Sequence, residues 1–206
     1  TLIAGRVVPF FARSVTPGLR NEVSIGRERA LAMSTSLALL AWLLNASPSL
    51  TAALLLTAAG LHLWRLHTWQ PKAALRRPLL WSLYLAYAWI PVGLVLLALA
   101  QWQIGSISPA LHAFAVGATA GLILAMMTRT ARGHTGRPLT AGRAESAAYI
   151  LIAVAALLRV GVPLLLPGLY QLGLIAAGLC FAAAFLIYVV VYTPLLTTTR
   201  ADGRDG

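Results

Sequence analysis

Residues 79–102, LLWSLYLAYAWIPVGLVLLALAQW, form a long run without a charged side chain. The hydrocarbon core of a bilayer is about 30 Å thick, so a helix that crosses it needs about 20 mainly apolar residues. Trp81 and Trp102 lie near opposite ends of the run, and indole rings favour the two membrane interfaces. The stretch therefore predicts a transmembrane helix.

The composition of the whole chain supports a membrane location. Of its 206 residues, 59% are hydrophobic and 10% are charged, whereas a soluble domain typically carries about 25% charged residues. A net charge of +11 is also typical of nucleic-acid binding. However, the cationic residues lie in short connectors and do not alternate with aromatic residues that could stack on bases. We therefore predict the lipid bilayer as a partner and no nucleic acid.

Five further segments are apolar and long enough, or nearly long enough, to span a bilayer. Short uncharged turns, NASPS, QWQIGSIS and LLPG, join them in pairs. The predicted fold is an all-α polytopic membrane bundle of six hairpin-paired helices within residues 30–196. Residues 1–29 would hold the end of a preceding helix and a basic cytoplasmic connector, and 197–206 a disordered cytoplasmic tail. The six predicted spans are 30–46, 50–66, 79–102, 109–128, 145–166 and 169–195.

Almost all of the positive charge falls on one side of the predicted bundle. Lys and Arg in short loops mark the cytoplasmic side of a membrane protein, so both ends of the chain should face the cytoplasm. Because the chain begins with Thr1 and a short apolar stretch, we also expect it to be a piece of a longer protein. Fifteen of the sixteen Lys and Arg residues lie in every other connector or at a terminus. They are Arg6, Arg13, Arg20, Arg27, Arg29, Arg65, Lys72, Arg76, Arg77, Arg129, Arg132, Arg137, Arg143, Arg200 and Arg204.

Two ionisable residues are predicted near the outer face of the membrane. Arg159 lies about 21 Å into the fifth span at 1.5 Å per residue, and an intramembrane arginine either pairs, faces water or extends its long stem to the headgroups. His112 lies in the first turn of the fourth span, at a similar depth. A neutral imidazole is a common haem or copper ligand, although a lone helical histidine is also common as a hydrogen-bonded residue within a bundle.

The fourth span and the loop after it carry two further patterns. Small residues recur every fourth position from Ala113 to Ala125, which suits close approach of another helix or a flat cofactor. Residues 129–143 then combine four arginines with glycines and His134. Such a loop either anchors the inner face against anionic lipid or binds an anion through arginines and backbone N–H groups. His134 could bind a metal or an anion from the cytoplasm.

Few other chemical motifs are present. Cys180 is the only cysteine, so a cysteine-rich metal site and an internal disulfide are excluded. The histidines are well separated and acids are scarce, which argues against a hydrolytic metal centre and against a proton pump. No acid/base pair or nucleotide-binding signature is recognisable, and whether the protein is an enzyme stays open.

Three stretches together resemble the NnrS family, bacterial membrane proteins of the nitric oxide response. The longest is HAFAVGATAGLILAMMTRTARGHTGRPL at 112–139. AGRVVPFF at 4–11 and PLLWSLYLAYAWIPVGL at 78–94 also look like motifs of that family. The resemblance covers most of the chain and is weaker in residues 30–60 and 170–206.

The resemblance implies a protein of the bacterial inner membrane with about twice as many spans, of which this chain would be the C-terminal half. The missing N-terminal half would then be a partner. The family resemblance also implies that the protein binds haem b and copper and acts in nitric oxide metabolism or nitrosative stress. Nitric oxide or another small molecule would be its ligand. On the matching positions, His112 and His134 become candidate metal ligands. Arg129 and Arg137 become cofactor-binding candidates, and a histidine is expected where this chain has Tyr84.

Two functional hypotheses follow. In the first, the protein binds haem through His112, and Arg159 pairs with a haem propionate. In the second, it is a transporter or a structural membrane subunit without a redox cofactor, consistent with the stripe of small residues and the basic loop. Iron and copper content would separate the two.

Overall fold

Seven long helices make up most of the computed structural model, which describes residues 1–16 and 23–203. Turns of 3-10 helix at Pro71–Ala74 and Pro167–Leu169 complete the helical structure within these ranges. The predicted all-α bundle is confirmed, while Arg20 and Arg204 lie outside the described residues. The helices are α1 Leu2–Val15, α2 Ile25–Leu43, α3 Pro48–Thr68, α4 Pro78–Gln101, α5 Ile107–His134, α6 Arg143–Leu165 and α7 Tyr170–Leu196.

Five of these helices, α3 to α7, are long and apolar enough to cross a membrane. Helix α2 covers most of the first predicted span and has 19 residues, but its first turns carry Arg27, Glu28 and Arg29. These charges make α2 less apolar than the other five predicted spans. All six predicted segments are nevertheless helical, and the chain is a multi-pass membrane protein.

Helix α4 lies at the centre of the bundle and packs against α1, α3, α5 and α6. Leu83, Leu94 and Leu97 on this helix are almost completely buried. Helix α7, by contrast, lies at the periphery and exposes Leu172 and Leu186. An apolar peripheral face of this kind suits contact with lipid chains, so the protein core is built around α4.

Helix α5 is longer than predicted and contains an irregular segment. It extends to His134 instead of ending at residue 128, and Gly136 adopts a positive φ of 68° just beyond its end. Glycine commonly terminates helices in this way because it has no Cβ to clash in the left-handed region. Residues Ala113–Ala120 form a π-helix within α5, directly after His112.

The stripe of small residues on α5 faces α4. A Cβ added to Gly117 would overlap the indole of Trp89, and a Cβ added to Gly93 of α4 would overlap the ring of Phe114. Each helix therefore inserts an aromatic side chain at a glycine of the other. The stripe serves helix packing, and the part of it around Gly117 is filled by Trp89 rather than open to a flat cofactor.

The connectors fall at two ends of the bundle. We call the end formed by connectors 69–77 and 135–142 the basic end, and the end formed by the short turns 44–47, 102–106 and 166–169 the turn end. The first part of the C-terminal tail lies at the basic end, because the N–H of Ala201 donates to the carbonyl of Thr135 at 3.0 Å.

We predict that Gly117→Val destabilises the bundle by about 1–3 kcal/mol, because an overpacked contact forces side chains and backbone to move. Gly178→Val is the matched control, since a Cβ on Gly178 meets nothing within 4 Å. Unfolding of both purified variants in detergent measures the difference. Equal destabilisation by the two substitutions would contradict the packing of Trp89 against Gly117.

Candidate functional site

The predicted site residues lie in two groups at opposite ends of the bundle. His112 is in the first two turns of α5, and Arg159 lies near the end of α6, so both are at the turn end. His134 is the last residue of α5. At 1.5 Å per residue, His112 and His134 are separated by about 30 Å along one helix, so they cannot bind the same metal ion.

His112 is held in one defined tautomer. Its Nδ1 lies 2.7 Å from the carbonyl oxygen of Ser108, and a carbonyl can only accept, so Nδ1 carries the hydrogen. The lone pair of the neutral ring is then on Nε2. Metal-binding histidines are commonly oriented by such a bond from the second ring nitrogen. The side chain is partly exposed at the turn end.

Arg159 contacts Tyr170 at the start of α7. Its Nη1 lies 3.4 Å from the Tyr170 hydroxyl, and its guanidinium lies 5.9 Å from the centre of the tyrosine ring. Within the described residues, Arg159 forms no ion pair with a carboxylate. It therefore retains donor capacity near the turn end, although no hydrogen bond joins it to His112 in the described part of the chain.

Arg129 belongs to the helix and not to the loop in which the sequence analysis placed it. It is 6% exposed, its guanidinium lies 3.5 Å from the centre of the Phe11 ring, and Nη2 donates to the Ser14 hydroxyl at 3.0 Å. Its Nη1 is buried and has no hydrogen-bond partner within residues 1–16 and 23–203. Arg129 thus joins α1 to α5 near the basic end, far from His112.

The basic loop satisfies much of its hydrogen-bonding capacity within the protein. Arg132 forms an ion pair with Glu145 and donates to the Tyr192 hydroxyl at 3.2 Å. Arg137 donates to the carbonyl of Leu195 at 3.4 Å. These contacts connect α5, α6 and α7, so Arg132 and Arg137 stabilise the basic end of the bundle.

A buried ion pair that the sequence analysis missed joins α2 to α3. Arg65 was assigned to a basic connector, but it lies inside α3, is 1% exposed and forms an ion pair with Glu28 of α2. Its Nη1 also donates to the Tyr87 hydroxyl of α4 at 3.1 Å. The earlier expectation that Arg159 is the only cation outside the connectors was therefore wrong.

The same network continues through His62, which is fully buried. The Thr35 hydroxyl donates to the carbonyl of Leu31 at 2.7 Å, so it must accept from Nε2–H of His62 at 3.1 Å. Nδ1 of His62 then accepts from the Tyr87 hydroxyl at 2.5 Å. Both ring nitrogens are engaged, and His62 could bind a metal only if one of these bonds broke.

Close packing and aromatic rings complete the network. The Arg65 guanidinium lies 5.1 Å from the centre of the Trp69 ring, a favourable cation–π distance. A Cβ on Gly5 would overlap the Arg65 guanidinium, so a glycine at this position of α1 makes room for the ion pair. Tyr84, where the family resemblance implies a histidine, donates its hydroxyl to the carbonyl of Trp69 at 2.8 Å.

One sequence signal could have revealed this network. His62, Arg65 and Trp69 follow each other at spacings of three and four residues, which places them on one face of a continuing helix. The hydropathy falls near the end of α3, and Arg65 was therefore counted among the connector cations although the predicted span 50–66 contains it.

We predict that Arg65→Met lowers the free energy of unfolding by about 3 kcal/mol, because it leaves Glu28 largely buried and without its partner. The double variant E28Q/R65M should recover at least part of the loss, since an uncharged pair avoids the buried single charge. Arg29→Met, which removes an exposed cation of α2, is the control. A double variant that is no more stable than Arg65→Met would show that the pair is not coupled.

Comparison with known proteins agrees with the earlier resemblance. No curated protein and no solved structure gives a match. The family model described as "NnrS protein" matches residues 1–200, nearly the whole chain, including α1, the buried network and all of α5. This family is associated with the nitric oxide response. The chain belongs to the NnrS family.

Proposed function

We propose that this protein binds haem through His112 and acts in nitric oxide metabolism or in the response to nitrosative stress. The single observation that supports this assignment is the hydrogen bond from His112 to the Ser108 carbonyl. It leaves Nε2 of a partly exposed histidine with a lone pair that would ligate haem iron. Haem iron would supply the centre to which nitric oxide binds.

The other histidines suit this role less well. Both nitrogens of His62 are engaged in the buried network, while His67 and His134 are exposed near the basic end. His112 is the one histidine at the turn end, and it shares that end with Arg159. Arg159 is therefore the candidate donor to a haem propionate, because an arginine binds a carboxylate through two parallel N–H groups.

Arg129 and Arg137 do not fit the same haem. Arg129 lies 17 residues after His112 on one helix, which corresponds to about 25 Å. Arg137 lies further still, beyond the basic end of α5. We therefore assign these two arginines to the stability of the basic end rather than to the proposed haem site.

A copper site does not fit the donor set of the described residues. They contain no group of three or more His, Cys, Asp or Glu side chains that could hold a metal ion. Copper in proteins is commonly bound by several nitrogen or sulfur ligands in a defined geometry, and His134 alone does not provide this. We propose no role for copper in this chain.

We predict that His112→Ala removes most of the Soret absorbance of the purified protein, whereas His134→Ala retains it. His112→Met tests ligation separately from folding, because a thioether can replace the imidazole as a ligand and would shift the band. Absorbance spectra with and without nitric oxide, together with iron analysis, provide the measurement. An unchanged band and nitric oxide shift in His112→Ala would exclude His112, and a well-folded protein without iron would favour a transporter or structural subunit.

We also propose that the protein lies in the bacterial inner membrane with its basic end toward the cytoplasm, because Lys and Arg in short loops are retained on that side. Single-cysteine variants in a Cys180→Ala background test this orientation. A membrane-impermeant thiol reagent added outside spheroplasts should label Ile104→Cys at the turn end but not Thr140→Cys at the basic end. Labelling of Thr140→Cys alone would reverse the orientation.

A further inference from the structure

A cavity at the basic end lies between the start of α4 and the connector that joins α5 to α6. Its volume is about 230 Å³. Arg76 and Arg77 form one side, and the connector residues 139–141 form the other. Neither α5 nor α6 itself contributes a residue to the lining, so the cavity lies between the start of α4 and the connector alone.

The cavity carries positive charge that the described residues do not neutralise. Arg76 and Arg77 are both exposed, and no acidic residue lines the cavity. The three ion pairs found in the described residues involve other arginines: Arg65, Arg132 and Arg200. Within the described residues no carboxylate forms an ion pair with Arg76 or Arg77, so both guanidinium groups have donors for an anionic ligand.

The remaining walls are mainly apolar and lie where the membrane-spanning candidate α4 begins. Leu79, Leu80 and Leu139 line the cavity beside the two arginines. Helix α4, a membrane-spanning candidate, begins at Pro78. The arginines therefore precede the span, Leu79 and Leu80 lie in its first turn, and Leu139 lies in the connector opposite. Thr140 adds a hydroxyl group at the rim. A ligand here would meet cationic groups at one end and apolar side chains at the other.

We propose that this cavity binds the headgroup of one anionic phospholipid of the cytoplasmic leaflet. The Arg76 and Arg77 guanidinium groups bind the phosphate, since arginine forms paired hydrogen bonds with phosphate oxygens. The glycerol backbone and the first acyl carbons lie against Leu79 and Leu139. Such a lipid connects the start of α4 to the α5–α6 connector. A free inorganic anion would leave the apolar walls without a partner.

The test is lipid retention by the complete protein. Wild-type protein and an R76Q/R77Q variant are reconstituted in nanodiscs with equal amounts of phosphatidylglycerol and phosphatidylcholine, released into detergent and analysed by native mass spectrometry. Wild type should retain one phosphatidylglycerol, and R76Q/R77Q should bind it about thirtyfold more weakly, because each arginine near an anionic surface contributes to binding. The control K72Q/R143Q removes two exposed cations at the same end that do not line the cavity.

Three results would overturn the proposal: equal retention of both lipids by wild type, equal loss in the control and in R76Q/R77Q, or unchanged retention in R76Q/R77Q. Equal loss would mean that the whole basic face attracts lipid without a specific site. Monodisperse elution of each variant establishes that it is folded. Haem content is measured on the same samples, so failure of the lipid proposal remains distinct from failure of the proposed haem function.

Discussion

The need to neutralise arginine inside a membrane protein organises one whole side of this bundle. A buried charge is costly unless it is paired and hydrogen-bonded. Arg65 is paired with Glu28 of α2 and its Nη1 donates to the Tyr87 hydroxyl of α4, while its Nε has no hydrogen-bond partner among the described residues. Because three helices contribute to these contacts, the position of each depends on the others. Gly5 of α1 leaves the space in which the guanidinium lies, so a fourth helix is fixed by the same constraint.

Polar pairing contributes most to the position of α2, because this helix buries few side chains against the rest of the bundle. Leu31, Thr35 and Ala38 are its buried residues, and many of its other apolar side chains are exposed. Between membrane helices, apolar contact with a protein gains little over contact with lipid. The Glu28 ion pair and the His62–Thr35 bond therefore give α2 a specific place beside α3. Helix α7 combines two kinds of contact: Gly173 lets it approach α6 closely, and the Tyr192 hydroxyl accepts from Nε of Arg132.

The sequence predicted the helices well because the bilayer imposes a simple length and hydropathy rule on each span. The prediction failed at the helix ends, where length and hydropathy no longer distinguish helix from connector. Arg129 was assigned to a connector because hydropathy falls after residue 128, yet the helix continues to His134. Arg65 was counted with the connector cations although it lies in the predicted span 50–66, and α3 continues to Thr68. The pairing of Arg65 with Glu28 could not be predicted either, since it depends on how α2 rotates against α3. His112 lies at the turn end, close to a turn that the sequence marks clearly.

The length of α5 changes how the family motif at 112–139 is interpreted. In sequence, His112, Arg129 and His134 form one continuous signature, which suggests one shared site. In the structure they occupy a single rigid helix that runs from one end of the bundle to the other, so its two ends meet different surroundings. The first part carries a histidine oriented by a backbone carbonyl, followed by a π-helical segment in which Gly117 receives Trp89. The last part carries arginines bonded to α1, α6 and α7. A cofactor held by one end cannot contact the other, and the motif therefore combines a candidate ligand at one face of the membrane with a structural anchor at the opposite face.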